Sequence, residues 1–240
     1  MKFGFISEGG EVKVSGRILS LRSSSEGLLY ERMSEGGEVE FAARVGEGAR
    51  VLVAPYPPFL LPLQGRLNCL YVRLSKPLVL PPGSKMSVPI TLPYDIAIIA
   101  SSRGSYILID TLPPEGMTPK MAVYGSNVEG VLCRFWSTSW GGESARGELV
   151  VDNPLETQVV VTRVVMPRRG FTIYYNPVSE DVVASTAVMN IKDIDAAEVS
   201  LRPPEWGEGY SEVPTIERDK RLFETLGALL PARIEMMWGI

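Results

Sequence analysis

The sequence predicts an all-β protein, built as a β-sandwich or as two packed β-sandwich units, with one short C-terminal helix. Three features carry that expectation. Apolar and polar residues alternate with period two along most of the 240 residues, so one side of each segment can be buried. Turn signals rich in Pro and Gly recur about every 8–12 residues, the spacing of short strands in a sandwich. Only one stretch has helical period: in ERDKRLFETLGALL, Leu222, Phe223, Leu226, Leu229 and Leu230 fall at i, i+1, i+4, i+7 and i+8.

Taken in order, EVKVSGRILSLR puts Val12, Val14 and Ile18 on one face and Lys13, Ser15 and Arg17 on the other. Leu19 and Leu21 then change parity, which predicts a bulge or bend at Gly16. Glu38–Val45 alternates cleanly, and Arg50–Ala54 follows a Gly-rich turn. PYPPFLLPLQG is too rich in proline for a central strand. From Leu67 to Asp110 the chain reads as four or five strands, with PPGSK as a turn. Thr111–Lys120 is the candidate linker, dividing an N-terminal unit (1–112) from a C-terminal unit (113–240) with the helix near 219–230. Beyond it MAVYG, VEGVLCRFW, GELVVD, ETQVVVTRVVM, FTIYYN, VVASTAVMN and AAEVSLRP read as strands. MPRRG reads as a hairpin turn, and ARIEMMW as a last strand after Pro231 stops the helix.

Composition narrows the chemistry. Net charge is −4, arising as +2 over residues 1–120 and −6 over 121–240, which disfavours a generic nucleic-acid binder. The chain has no histidine, so a Ser-His-Asp triad, a Cys-His dyad and a His-ligated metal are excluded. Cys69 and Cys133 show no CxxC spacing and sit in apolar runs. They read as buried free thiols, with a disulfide open but not indicated. The N-terminus meets Glu8 before any hydrophobic segment develops, and no apolar run approaches the ~18 residues of a membrane span. A cytoplasmic location is therefore expected. Five Asn and two Gln, beside 21 Glu, fit a heat-adapted source.

Chemistry concentrates in YGSNVEGVLCRFWSTSW (Tyr124–Trp140). Alternation puts Val131, Cys133 and Phe135 on one face, which reads as core, and Leu132, Arg134 and Trp136 on the other. Arg134 is then either a structural arginine, stacked on Trp136 and paired with a carboxylate, or a clamp for an anionic ligand. An oligomer interface is the third option. Trp140, in the loop STSWGGESARG, either plugs the sandwich end or marks a recognition surface. Arg168 and Arg169 read as a solvated turn or as a phosphate contact. Asp193, Asp195 and Glu198 read as a solvated edge before a cation site. No Walker loop, GxGxxG or GxSxG motif is present, and no cofactor or metal is expected.

These segments resemble the archaeal domain-of-unknown-function family 432. The likeness rests on PYPPFLLP, KPLVLPPGS, LPYDIAI, YGSNVEGVLCRFWS, the YY of FTIYYN and the terminal MWGI. The resemblance implies an archaeal source but no activity, cofactor or catalytic residue. Genes of this kind beside mechanosensitive-channel genes would make a membrane channel a candidate partner. The reading that follows is a non-enzymatic interaction or ligand-binding protein, open to self-association, that recognises its partner around Arg134, Trp136 and Trp140. The alternatives are a carboxylate-based, carbohydrate-active enzyme drawing on Glu129, Glu143 or Glu148, and a nucleic-acid-binding module.

Overall fold

A computed structural model of the chain describes residues 3–25, 27–61, 66–124, 131–205, 209–216 and 235–237. Among them lie twenty strands and no helix; the expected helix over 219–230 falls outside the described residues. The chain opens with β1 (Gly4–Ile6) and a meander of β2 (Glu11–Val14), β3 (Arg17–Ser24), β4 (Gly27–Ser34) and β5 (Val39–Val45). β6 (Arg50–Tyr56) returns beside β1. Four strands follow: β7 (Cys69–Leu80), β8 (Ser84–Leu92), β9 (Asp95–Ser102) and β10 (Ser105–Leu112). Next come β11 (Lys120–Tyr124), β12 (Val131–Ser137), β13 (Ala145–Asn153) and β14 (Val159–Pro167). Short β15 (Ile173–Tyr175) and β16 (Val182–Ala184) precede the hairpin of β17 (Thr186–Asp193) and β18 (Ala196–Arg202). β19 (Ser211–Glu212) and β20 (Glu235–Met237) complete the set, β20 falling where a last strand is expected.

The strands form four sheets in a sandwich-like, all-β arrangement. One is antiparallel, in the order β1-β6-β9-β10, and a second is the meander β2-β3-β4-β5. The third runs β14-β7-β12-β11-β20, with β7–β12 and β11–β20 parallel. The fourth runs β18-β17-β13-β16-β15-β19, and β8 pairs along the free side of β13. Strands from the two sides of Pro113 hydrogen-bond to one another, through β7–β12, β7–β14 and β8–β13.

Local chemistry explains two departures from the expected elements. EVKVSGRIL is not one bent strand but a hairpin, in which Val14 faces Arg17. Ser15 (φ 51°) and Gly16 (φ 66°) supply the left-handed backbone of a two-residue turn, and the reversal accounts for the parity change. MPRRG is not a hairpin turn either. The Arg168 N–H donates to Asn68 O at 2.9 Å, and the chain then crosses from the third sheet to β15 in the fourth.

The main core draws on all four sheets, with Leu21 and Tyr30 from the meander, Ile98 from β9, Val72 and Trp136 from the third sheet, and Val151 from the fourth. Arg32 ties the meander to the first sheet. Its Nη1 reaches both carboxylate oxygens of Asp110, at 2.6 and 2.8 Å, and the Tyr30 hydroxyl donates to Asp110 at 2.9 Å. Burial still raises the Asp110 carboxyl above its ordinary range, against the pull of Arg32.

The third sheet is buried on both faces, which changes the reading of VLCRFW. Arg134 and Trp136 point into the main core and are each 2% exposed. Cys133 and Phe135 face the other way, into a small second cluster with Cys69, Tyr71 and Ala122. A strand reading that assumes one wet face cannot rank two buried ones. Cys69 and Cys133 are register partners on parallel neighbours and form a disulfide, with Cα atoms 4.5 Å apart. This corrects the free-thiol expectation. A separation of 64 residues hides an adjacency that only the β7–β12 pairing creates.

Candidate binding site

Two parts of the tryptophan segment have separate fates. Arg134 extends toward the start of β9, where its Nη2 lies 3.8 Å from Asp95 Oδ1, and its Nη1 donates to Leu61 O at 2.8 Å. Asp95 Oδ2 accepts the N–H groups of Leu60 and Leu61 at 2.9 and 3.0 Å. Asp95 Oδ1 and Arg134 Nε have no hydrogen-bond partner among the described residues. Desolvation therefore outweighs the attraction. It pushes the Asp95 carboxyl up to about 6, against Arg134 and the two N–H groups, and lowers the Arg134 guanidinium. PYPPFLLP, LPYDIAI and CRFW meet at this pair. It is structural, because no ligand reaches side chains 0% and 2% exposed. Trp136 is structural too, its Nε1 donating to Thr91 O at 2.8 Å.

Trp140 behaves differently. Ser137–Trp140 closes a tight turn, with Trp140 N donating to Ser137 O at 3.0 Å and the Ser137 and Ser139 hydroxyls 2.8 Å apart. The turn folds the indole back, edge-on to Phe135 and Trp136 at 5.3 and 5.4 Å between centroids, and leaves it half-buried. Trp140 thus packs against the second cluster and also lines a surface recess. The inner rim of the indole covers the second cluster, and the outer rim walls a recess of about 530 Å³.

A register break in β7 builds the opposite wall. β14 pairs Arg163 with Arg73 and then Val161 with Leu78, so Leu74–Pro77 loops out against Thr162 alone. Ser75 N donates to Thr138 Oγ1 at 2.8 Å, and Thr138 N to Arg73 O at 3.0 Å, which pins the bulge to the tryptophan turn. Arg73, Lys120, Ser137 and Ser139 line the recess, with the Lys120 amine 5.1 Å from the Trp140 ring. Among the described residues no Asp or Glu lines it. Arg163 does not line the recess but is the register partner of Arg73 across the strand pair and lines the neighbouring groove, and neither arginine has an ion pair among the described residues.

The other expected positions are not brought here. Arg168 donates from Nη1 to Leu67 O at 3.3 Å and lies 5.8 Å from the Phe59 ring centre, while Arg169 is exposed on the same turn. Asp193 and Asp195 sit at the tip of the β17–β18 hairpin rather than on one strand face, and Lys192 pairs with Glu198 at 3.3 Å. Among the described residues no group of three acidic or thiol side chains could hold a metal ion. Glu143 accepts from Tyr94, Glu148 accepts from Ser87 and Thr186, and Glu129 lies outside the described residues. Sequence reasoning missed Arg73, Arg163 and Lys120. Their only signal is strand register, β7–β14 for the two arginines and β11–β12 for Lys120, which no local pattern encodes.

Phe135→Ala tests the second cluster, since Phe135 stacks on Tyr71 at 5.7 Å and supports Trp140. Urea unfolding should show a loss of about 3 kcal/mol. A loss below about 1 kcal/mol would show that the cluster carries little stability.

The model of one family, described as "Protein of unknown function (DUF432)", matches residues 2–226. No curated protein and no solved structure matches the chain.

Proposed function

The chain belongs to the DUF432 family, and we propose that it is a non-enzymatic binding protein whose recess beside Trp140 takes a small organic anion. The observation that carries this reading is the Arg73–Arg163 pair. Like charges directly opposite on neighbouring strands destabilise a sheet, and among the described residues no carboxylate pairs with either arginine. An entering phosphate or carboxylate would. Guanidinium groups bind such anions through two parallel hydrogen bonds, and Lys120 adds a third cation. Trp140 offers a ring edge, and Ser137 and Ser139 offer hydroxyls to the rest of the ligand. Among the described residues the recess has no general base beside a nucleophile, which favours binding over catalysis.

Tryptophan fluorescence and calorimetry with inorganic phosphate, glucose 6-phosphate and glucose test the proposal. The two phosphates should bind at least tenfold more tightly than glucose and weaken as salt is added. Arg73→Gln should abolish that preference without lowering the melting temperature, because it removes a repulsion. Equal affinity for the phosphates and glucose, or no effect of Arg73→Gln, would overturn the reading. The same proposal places the protein in the cytoplasm of a heat-adapted archaeon, a setting where intracellular disulfides are common. A fully reduced Cys69–Cys133 pair in native cells would count against that placement.

A further inference from the structure

A second cleft lies apart from the recess and shares none of its described lining residues. It holds about 780 Å³, within the ~300–1,000 Å³ usual for small-molecule sites. One wall is the meander, with Ser15 from the β2–β3 turn, Arg17 from β3, Arg32 from β4 and Glu40 from β5. The other is the end of β10 and the crossover after it, where Thr111 is followed by an apolar surface of Pro113, Pro114 and Met117.

Two independent observations bear on what this cleft takes. The first is unmet hydrogen-bonding capacity. Buried polar side-chain atoms nearly always have partners. Among the described residues seven have none, and three of the seven, Ser15 Oγ, Arg32 Nε and Thr111 Oγ1, belong to residues lining this one cleft. Arg32 and Thr111 are only 8% and 2% exposed, so bulk water does not serve them. Arg32 Nε lies 3.3 Å from Glu40 Oε2 without making a hydrogen bond to it. The second observation is charge. Arg17 Nε donates to Glu40 at 2.7 Å, and Arg32 Nη1 donates to Asp110 at 2.6 Å, so each lining arginine already faces a carboxylate. Glu115 lines the cleft as well. No cation is left over for an anion, in contrast to the recess beside Trp140.

We infer that this cleft binds an uncharged, hydroxyl-rich ligand of about disaccharide size. A sugar hydroxyl both donates and accepts, so one hydroxyl takes the Arg32 N–H while its neighbours pair with Ser15, Thr111 and Glu40. The Ser15 and Thr111 oxygens turn to the ligand by rotation about χ1. The C–H faces of the rings lie against Pro113, Pro114 and Met117. Other ligand classes fit worse. An anion meets Glu40 and Glu115, and an apolar ligand seals in an N–H and two hydroxyls without partners. The volume leaves room beyond a single hexose ring.

Isothermal titration calorimetry with maltose, cellobiose, sucrose and glucose tests this, with inorganic phosphate as a separate probe of the recess. At least one disaccharide should bind tenfold or more tightly than glucose, with an affinity insensitive to salt and to Arg73→Gln. Thr111→Val removes a hydroxyl at nearly constant volume, and Ser15→Gly does so at a position of positive φ that glycine accepts. Each should weaken that disaccharide at least tenfold, while phosphate binding is unchanged and the melting temperature holds or rises, because an unpartnered buried hydroxyl is gone. Binding of none of the three disaccharides would overturn the inference, whatever phosphate does. So would disaccharide binding that weakens with salt, that is lost in Arg73→Gln, or that survives in both cleft variants.

Discussion

Arg134→Ala is expected to cost about 3–5 kcal/mol at pH 8, the usual penalty for stranding one member of a buried ion pair. Asp95 would keep its two N–H donors from the 60–61 loop, and Leu61 O would lose its donor. Arg134→Met fills most of the vacated volume and isolates the charge effect from the cavity. The deficit should depend on pH, with a sign set by Asp95. Its folded value, about 6, lies above the ordinary value of 3.8. Protonation therefore favours the folded state. The contribution is complete below about pH 4 and is lost as pH rises through about 6, on the order of 3 kcal/mol in all. At pH 5 Asp95 is largely neutral in the native protein and in both variants, so the deficit should shrink. At pH 8 the variants hold a buried carboxyl without its cation, and the deficit should be full. Asp95→Asn should lack this component of the pH dependence. Urea unfolding at the two pH values measures all of this. A deficit identical at both would show that packing, not charge, holds the 60–61 loop against β12.

The same residues show how far the sequence could be read. Period two located β12 and the parity of its side chains correctly, because alternation is a local property. It did not reveal that both faces are covered, since that depends on what packs against the sheet. Arg134 was legible as an arginine between apolar neighbours in need of a carboxylate, but Asp95 lies 39 positions away on another sheet. Trp140 was legible as a loop aromatic of double character. Its companions Arg73 and Lys120 reach it only through the β7–β12 and β11–β12 pairings. The edge position of β14 was illegible for a related reason. VVVTRVV reads identically in a central strand and in an edge strand.

Reduction of the Cys69–Cys133 disulfide should lower stability by about 4 kcal/mol. The bond closes a loop of 64 residues, and the denatured chain loses loop-closure entropy that scales with the logarithm of that length. The closed segment contains β8 to β11, so the bond constrains strands of three different sheets in the denatured chain. It also links β7 to β12 under the cluster that supports Trp140. Oxidised protein in denaturant should show no titratable thiol, and addition of a reductant should release two. Comparison of the oxidised and reduced forms of one sequence avoids the packing change that substitution brings. Urea midpoints measured with and without reductant should then differ, with the reduced form unfolding first. Cys69→Ala with Cys133→Ala should resemble the reduced form, apart from the volume lost. Native circular dichroism should be unchanged in both, because the strand pairing of β7 with β12 is made by backbone hydrogen bonds. Free thiols in denatured protein without reductant would sink the cross-link. Coincident midpoints would show that the bond forms but that the chain folds as stably without it.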